Sequence, residues 1–186
     1  MSQTSTDFPK ITWNLFSQKS IDGKNRDGNF KLPHKISRFP IGSKEMRHFY
    51  EAPDGFKENR WWKDLAVASK RWDQENTITA RHANNMNWYT AVDFSNWLSY
   101  RLTRKIRLPT EDELIQASPE IAITHLSEWC INEYENHDVA EVQSGLHKAV
   151  RGTFSYSTDE RSFRKRNAGS PINANAFVGF RVVMES

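Results

Sequence analysis

The sequence predicts an α+β domain, and three observations carry that prediction. Residues 87–113, NWYTAVDFSNWLSYRLTRKIRLPTEDE, read as a helix, a short basic strand and a second, capped helix. Elsewhere the apolar runs are short and separated by Gly, Pro, Asn and Asp turn signals. Aromatic residues make up 12% of the 186-residue chain, seven of them Trp, while hydrophobic residues total only 37%. That aromatic content argues against disorder, and it implies a core built from large rings rather than aliphatic layers. A chain of this length suits one domain and can bury a substantial core.

Taken in order, residues 1–10 are expected to form a loose tail and residues 11–186 one domain. Ile11 to Phe16, holding Trp13, reads as a short strand. Ser20 to Asn29 carries two turn signals and reads as a polar loop. Phe30 to Ile41 is strand material interrupted by Pro33. Ser43 is expected to cap a short helix in which Met46, Phe49 and Tyr50 share one face, and Pro53-Asp54-Gly55 ends it in a tight turn. Trp61 and Trp62 are read as core rather than as an exposed ligand platform. Ala66 to Asn85 is a polar connection.

Asn87 suits the N-cap of the long helix, because its side-chain oxygen can take a free first-turn amide. Trp88, Ala91, Val92, Ser95, Leu98 and Leu102 then recur at steps of three and four, and Phe94 and Trp97 widen their face. A helix apolar over so broad an arc packs on more than one side. Arg104 to Leu108 is too short and basic to extend it and is expected to be a strand. Pro109 stops continuation, and Thr110 with Glu113 forms a capping box. Glu111 and Asp112 place negative charge where the helix dipole favours it, and Pro119 breaks this helix. Ala149 to Phe154 reads as a strand. Val178 to Met184 reads as the closing strand, with Val178, Phe180 and Val182 on one face. The polar stretch between them is expected to be a long loop, of the kind that is usually functional or disordered.

The string NWYTAVDFSNWLS…IRLPTEDEL resembles the VSWYDAxxYCxWLS…YRLPTEAEW signature of the formylglycine-generating-enzyme (sulfatase-modifying factor) superfamily. SEWCINEYENHD resembles its WEWC motif, and VRGTFS…RSFRKRN…VGFRVV resembles its C-terminal RGGSW…RSAxRxRN…GFRVV frame. The resemblance implies a C-type-lectin-like fold, with two main helices packed on a small, mostly antiparallel sheet and much irregular structure. It implies scaffold roles for Trp88, Trp97, Arg107, Pro109, Trp129, Arg151, Gly152, Gly179 and Arg181. Arg107 and Arg181 are expected in buried or half-buried ion pairs, since a guanidinium in a core cannot stay unpaired. The insert that usually precedes the WEWC motif is missing, so no calcium site is carried over.

Some members of that superfamily are oxidases that hold copper through paired C-terminal cysteine thiolates, as a soft metal requires. Here the matching region, Arg151 to Arg181, has no cysteine, and the single Cys130 sits in the structural EWC motif. Cys130 is read as a small buried hydrophobe, consistent with a reducing compartment. The six histidines form no H-x-x-x-H or H-E-x-x-H pair. There is no G-x-S-x-G elbow and no phosphate-cradling G-x-x-x-x-G-K. No catalytic residue, metal or cofactor is therefore assigned.

The formal net charge is +3, and mean hydropathy is −0.77. Both suit a solvated mixed surface. Arg161, Arg164, Lys165 and Arg166 around Phe163 form the best nucleic-acid candidate, but two of these arginines match family positions that tie the backbone down, so nucleic acid is not expected. No apolar run approaches the ~20 residues needed to span a bilayer, and no signal-peptide pattern opens the sequence. A cytoplasmic location, or carriage on a virus-like particle, is expected.

The expected site is a ligand-binding surface within residues 151–183: Ser155, Tyr156, Ser157, Thr158, Phe163, Lys165, Asn167, Asn173, Asn175 and Phe177. Tyr gives contact area at small entropy cost, and Ser and Asn give adaptable hydrogen bonds. This pattern also resembles the variable proteins of diversity-generating retroelements, whose mutagenised region runs through the same C-terminal frame. The resemblance implies a non-catalytic domain that binds a macromolecular, protein ligand. The alternatives are an oxidase-type enzyme of the same superfamily with an altered metal site, and a fixed adaptor domain with one partner.

Overall fold

A computed structural model of the chain describes residues 9–15, 35–61, 83, 85–134, 147–152 and 160–185. Its elements, in order, are β1 (Trp13–Leu15), β2 (Lys35–Ser37), α1 (Ser43–Glu51), a 3-10 turn (Asn59–Trp61), α2 (Trp88–Leu102), β3 (Ile106–Arg107), α3 (Glu111–Ala117), β4 (Ser127–Glu133), β5 (Lys148–Arg151), α4 (Glu160–Phe163), β6 (Arg166–Gly169), β7 (Val178–Gly179) and β8 (Val183–Met184).

The local chemistry of the 87–113 stretch forms as predicted. Asn87 Oδ1 accepts from the Thr90 amide at 2.9 Å. Thr110 Oγ1 accepts from the Glu113 amide at 3.2 Å, and the Glu113 carboxylate accepts from the Thr110 amide at 2.7 Å. The helix between these caps buries Trp88, Thr90, Ala91, Asp93, Phe94, Ser95, Trp97 and Leu98, so it is packed on several sides. Thr90 and Asp93 lie outside the predicted apolar arc and are buried with it. α1 begins one residue earlier than predicted. Gly42 is the capping residue, its N–H donating to Glu45 at 2.9 Å, and Ser43 is the first helical residue.

The main core is a cluster of rings. Phe49, Phe94, Trp97 and Phe180 meet at centroid separations of 5.4–5.9 Å in tilted or edge-on geometries, which aromatic quadrupoles favour. The buried indoles also need a hydrogen-bond acceptor. Trp88 donates to the Cys130 carbonyl at 2.8 Å, and Trp129 to the Met86 carbonyl at 3.1 Å. Trp61, half-buried, donates to the Asp54 carbonyl at 2.8 Å. Asp54 also accepts from Arg101 at 3.1 Å, so the Pro53-Asp54-Gly55 turn ties α1 to α2. Trp62 lies outside the described residues. A second cluster, containing Ile36, Leu114, Cys130, Ala149, Phe163 and Val183, fills the space between α3 and the strands.

The described residues form two four-stranded sheets where one small sheet was expected. The first has the order β1-β2-β8-β3 and is antiparallel throughout. The second has the order β6-β5-β4-β7, antiparallel except for the parallel β4–β7 pair. The predicted closing strand 178–184 is divided between them. Val178–Gly179 pairs with β4, and Val183–Met184 pairs with β2 and β3. The chain changes sheets at Phe180–Val182, where Phe180 and Val182 accept backbone bonds from Ile41 and Ser37 at 2.8 and 2.9 Å. The predicted long loop between the two C-terminal strands likewise contains α4 and β6.

Candidate ligand-binding surface

The surface is best built from the frame beneath it. Arg181 is fully buried, as is Glu128, and their side chains meet in a two-pronged pair at 2.6 Å for both bonds. The remaining guanidinium protons go to the carbonyls of Ser37, Arg38 and Ala122 at 3.0, 2.8 and 3.0 Å. Arginine has five N–H donors, and here all of them are used. Arg107 forms a comparable pair with Glu113, both bonds at 2.7 Å, and reaches Glu185 at 2.7 Å. Hydrogen bonding to Glu113 raises its pKa further above the ordinary range. Lys105 and Arg107 together pull that of Glu185 down.

Glu111, at the first turn of α3, organises the strand side of the surface. It accepts from Arg151 at 2.9 Å, from Arg166 at 2.7 Å and from Asn132 at 2.9 Å. Arg166 also lies over the Tyr134 ring, 4.4 Å from its centroid. Two glycines let the strands close on this frame. Gly152 has φ +123°, and a Cβ there would meet Ser127 at 2.4 Å. Gly169 lies flat on the Trp129 ring, and a Cβ there would meet it at 2.3 Å.

Above the frame, the sequence-predicted residues divide into three groups. Ser155, Tyr156, Ser157 and Thr158 lie outside the described residues. Phe163 is 3% exposed and packs in the second core cluster, so it is a core residue and not part of the surface. The cluster that buries it includes Leu114 of α3 and Ala149 of β5, both distant in sequence. The others reach the surface to differing degrees. Lys165 and Asn173 are exposed, and Asn167, Asn175 and Phe177 are half-buried. Asn167 donates to the Gly152 carbonyl, and Asn175 Oδ1 accepts from the Phe177 amide at 2.8 Å. Both side chains thus help to hold the backbone.

Asn173 and Asn175 open onto a groove of about 460 Å³ whose wall includes Trp129, Ala168, Gly169, Ile172 and Ala174. Ile172 is 59% exposed. Sequence reasoning missed Ala168 and Ile172. The available signal was an isolated aliphatic residue set among turn formers in Ser170-Pro171-Ile172-Asn173. Another groove, of about 480 Å³, is lined by residues such as Lys10, Phe39, Glu45 and Ile123, and contains none of the predicted residues.

Cys130 is fully buried, and burial pushes its thiol pKa well up, away from the reactive thiolate. Among the described residues, no group of three His, Cys, Asp or Glu side chains could hold a metal ion. No described helix is long and apolar enough to cross a membrane.

No family model matches the chain, and no curated protein matches it by sequence. Solved structures do match it. The structure of PvdO from Pseudomonas aeruginosa is similar over 95% of this chain and 92% of that one, at 12% identity and a TM-score of 0.53. Treponema denticola variable protein 1 is similar over 87% of this chain and 90% of that one, at 15% identity and a TM-score of 0.53. CarF is similar over 95% of this chain and 97% of that one, at 15% identity and a TM-score of 0.56. The fold is α+β and C-type-lectin-like.

Proposed function

We propose that this chain is a non-catalytic ligand-binding domain, a variable protein whose C-terminal surface is diversified by a retroelement and whose ligand is a protein. One observation carries the reading: among the described residues of 151–181, anchoring positions are buried or paired, and a set of positions between them faces solvent. Gly152, Gly169 and Arg181 hold the backbone, while Lys165, Ile172, Asn173 and Ala174 are exposed. Surface positions away from such anchors usually tolerate substitution within about 0.5 kcal/mol. A surface of this design can change its residues while the fold stays put.

The similarity to Treponema denticola variable protein 1 supports this reading. So does the inaccessibility of the one thiol. The basic cluster at 161–166 supports a protein ligand over nucleic acid. Arg166 is committed to Glu111, and Phe163, the ring that would stack on a base, is inside the core. The test is to sequence this gene across a natural population of its source. Substitutions concentrated in adenine-bearing codons such as that of the exposed Asn173, with Gly152 and Arg181 unchanged, are the expected result. An invariant C-terminal segment would overturn the retroelement reading and leave a fixed adaptor domain.

A further inference from the structure

The groove beside Trp129 is bounded by a sheet edge. Among the described residues, β6 is the outermost strand of the second sheet. The Gly152 N–H donates to the Lys165 carbonyl at 2.9 Å, and the register continues with Arg151 opposite Arg166, Val150 opposite Asn167, Ala149 opposite Ala168 and Lys148 opposite Gly169. Directly opposed residues in an antiparallel ladder alternate between exchanging both backbone bonds and exchanging none. The bonded pairs are therefore 152 with 165, 150 with 167 and 148 with 169. The N–H and C=O of Ala168 turn outward, away from β5. Ala168 is exposed, and it also lines the groove.

An open edge is a template for a further strand, which proteins commonly block with charged side chains. Here the charge on the edge strand is drawn aside: the Arg166 guanidinium is folded back onto Glu111 and Tyr134. The surroundings define what would fit. Toward the C-terminal end of β6, the groove offers Ala168, Ile172 and Ala174 with the amides of Asn173 and Asn175, and none of its described lining residues is charged. At its N-terminal end stands Lys165, an exposed cation beside the exposed Arg164.

We infer that β6 is a docking edge for an extended segment of the protein ligand. That segment pairs through its backbone with Ala168, lays an apolar side chain against Ile172 in the groove, and sets a carboxylate near Lys165. Main-chain bonds supply affinity in such strand addition, and side-chain pockets supply selectivity. The inference rests on the ligand-binding reading above and adds the mode of binding and the chemistry of the partner.

The probe is a phage-displayed library of random ten-residue peptides, selected on the full chain. Ten extended residues span ~33 Å, enough to run from Lys165 past Ile172. Enriched peptides are expected to combine Asp or Glu with a β-branched or aromatic residue. They should lose at least about tenfold in affinity for Ala168→Pro, which removes the outward N–H without deleting a ladder bond to β5, and little for Ala168→Ser. Lys165→Glu should disfavour the acidic peptides. In the wild-type chain, exchange of the Ala168 amide should slow on binding, a readout that stands even if Ala168→Pro fails to fold. No enriched peptide, or enriched peptides that leave Ala168 exchange at its free rate, would overturn the inference. Such a result beside a diversified gene would discard the docking edge and retain the variable surface.

Discussion

Arg181 and Glu128 are both fully buried, and every N–H of the guanidinium is bonded. Removing one partner strands the other charge in the core, at a typical cost of ~3–5 kcal/mol. Arg181→Ala is therefore expected to lower stability by about that much in urea denaturation, and an unchanged transition would contradict the pairing. Replacing both with apolar residues of similar volume should cost much less than the single change. Asp93 presents the opposite case. It is fully buried, and neither carboxylate oxygen has a hydrogen-bond partner. Burial raises its pKa from 3.8 to about 8. The folded state thus keeps a proton that the unfolded state releases across that interval. Stability is full at the acid end and falls as pH rises through the window, by at most about 1.4 kcal/mol per unit for one proton. Melting temperatures between pH 5 and 8.5 should show Asp93→Asn gaining on the wild type as pH rises, and a constant difference would contradict the burial.

At the scale of elements, α1, α2 and α3 were legible because their signals are local, while the single turn of α4 lay in a stretch read as loop. Asn87, Thr110 and Glu113 cap within three residues of the positions they satisfy, and the ring positions of α2 repeat at helical spacing. The strands were less legible because their partners are distant in sequence. β7 and β8 are two residues each, and nothing in VGFRVVM marks where the chain leaves one sheet for the other. β6, Arg-Asn-Ala-Gly, has no β-branched or aromatic residue and reads as loop by composition. It is a strand because Gly169 can lie against Trp129 and Arg166 can reach Glu111. Gly169→Ala is accordingly expected to destabilise the chain by ~1–3 kcal/mol, as overpacking does, and to speed amide exchange in β6. A change neutral in both would remove Trp129 as the support of that edge. For the same reason Phe163 was misread: its basic neighbours suggested a surface, while the contacts that bury it come from α3 and β5.

At the scale of the whole molecule, the proposed function requires a fixed frame that carries a replaceable surface. The frame crosses the structure from β2 through the Arg181–Glu128 pair to Glu111 and the strands it anchors. The surface sits on the last fifth of the chain, where exposed and anchoring residues alternate among those described. The most direct measurement is a saturation substitution scan of residues 165–181, with Gly152 and Glu128 included, read out as folded protein by protease resistance. Lys165, Ile172, Asn173 and Ala174 are predicted to accept nearly every residue, while Gly152, Glu128, Gly169 and Arg181 accept almost none. Equal tolerance across both groups, or intolerance at the four exposed positions, would contradict the claim.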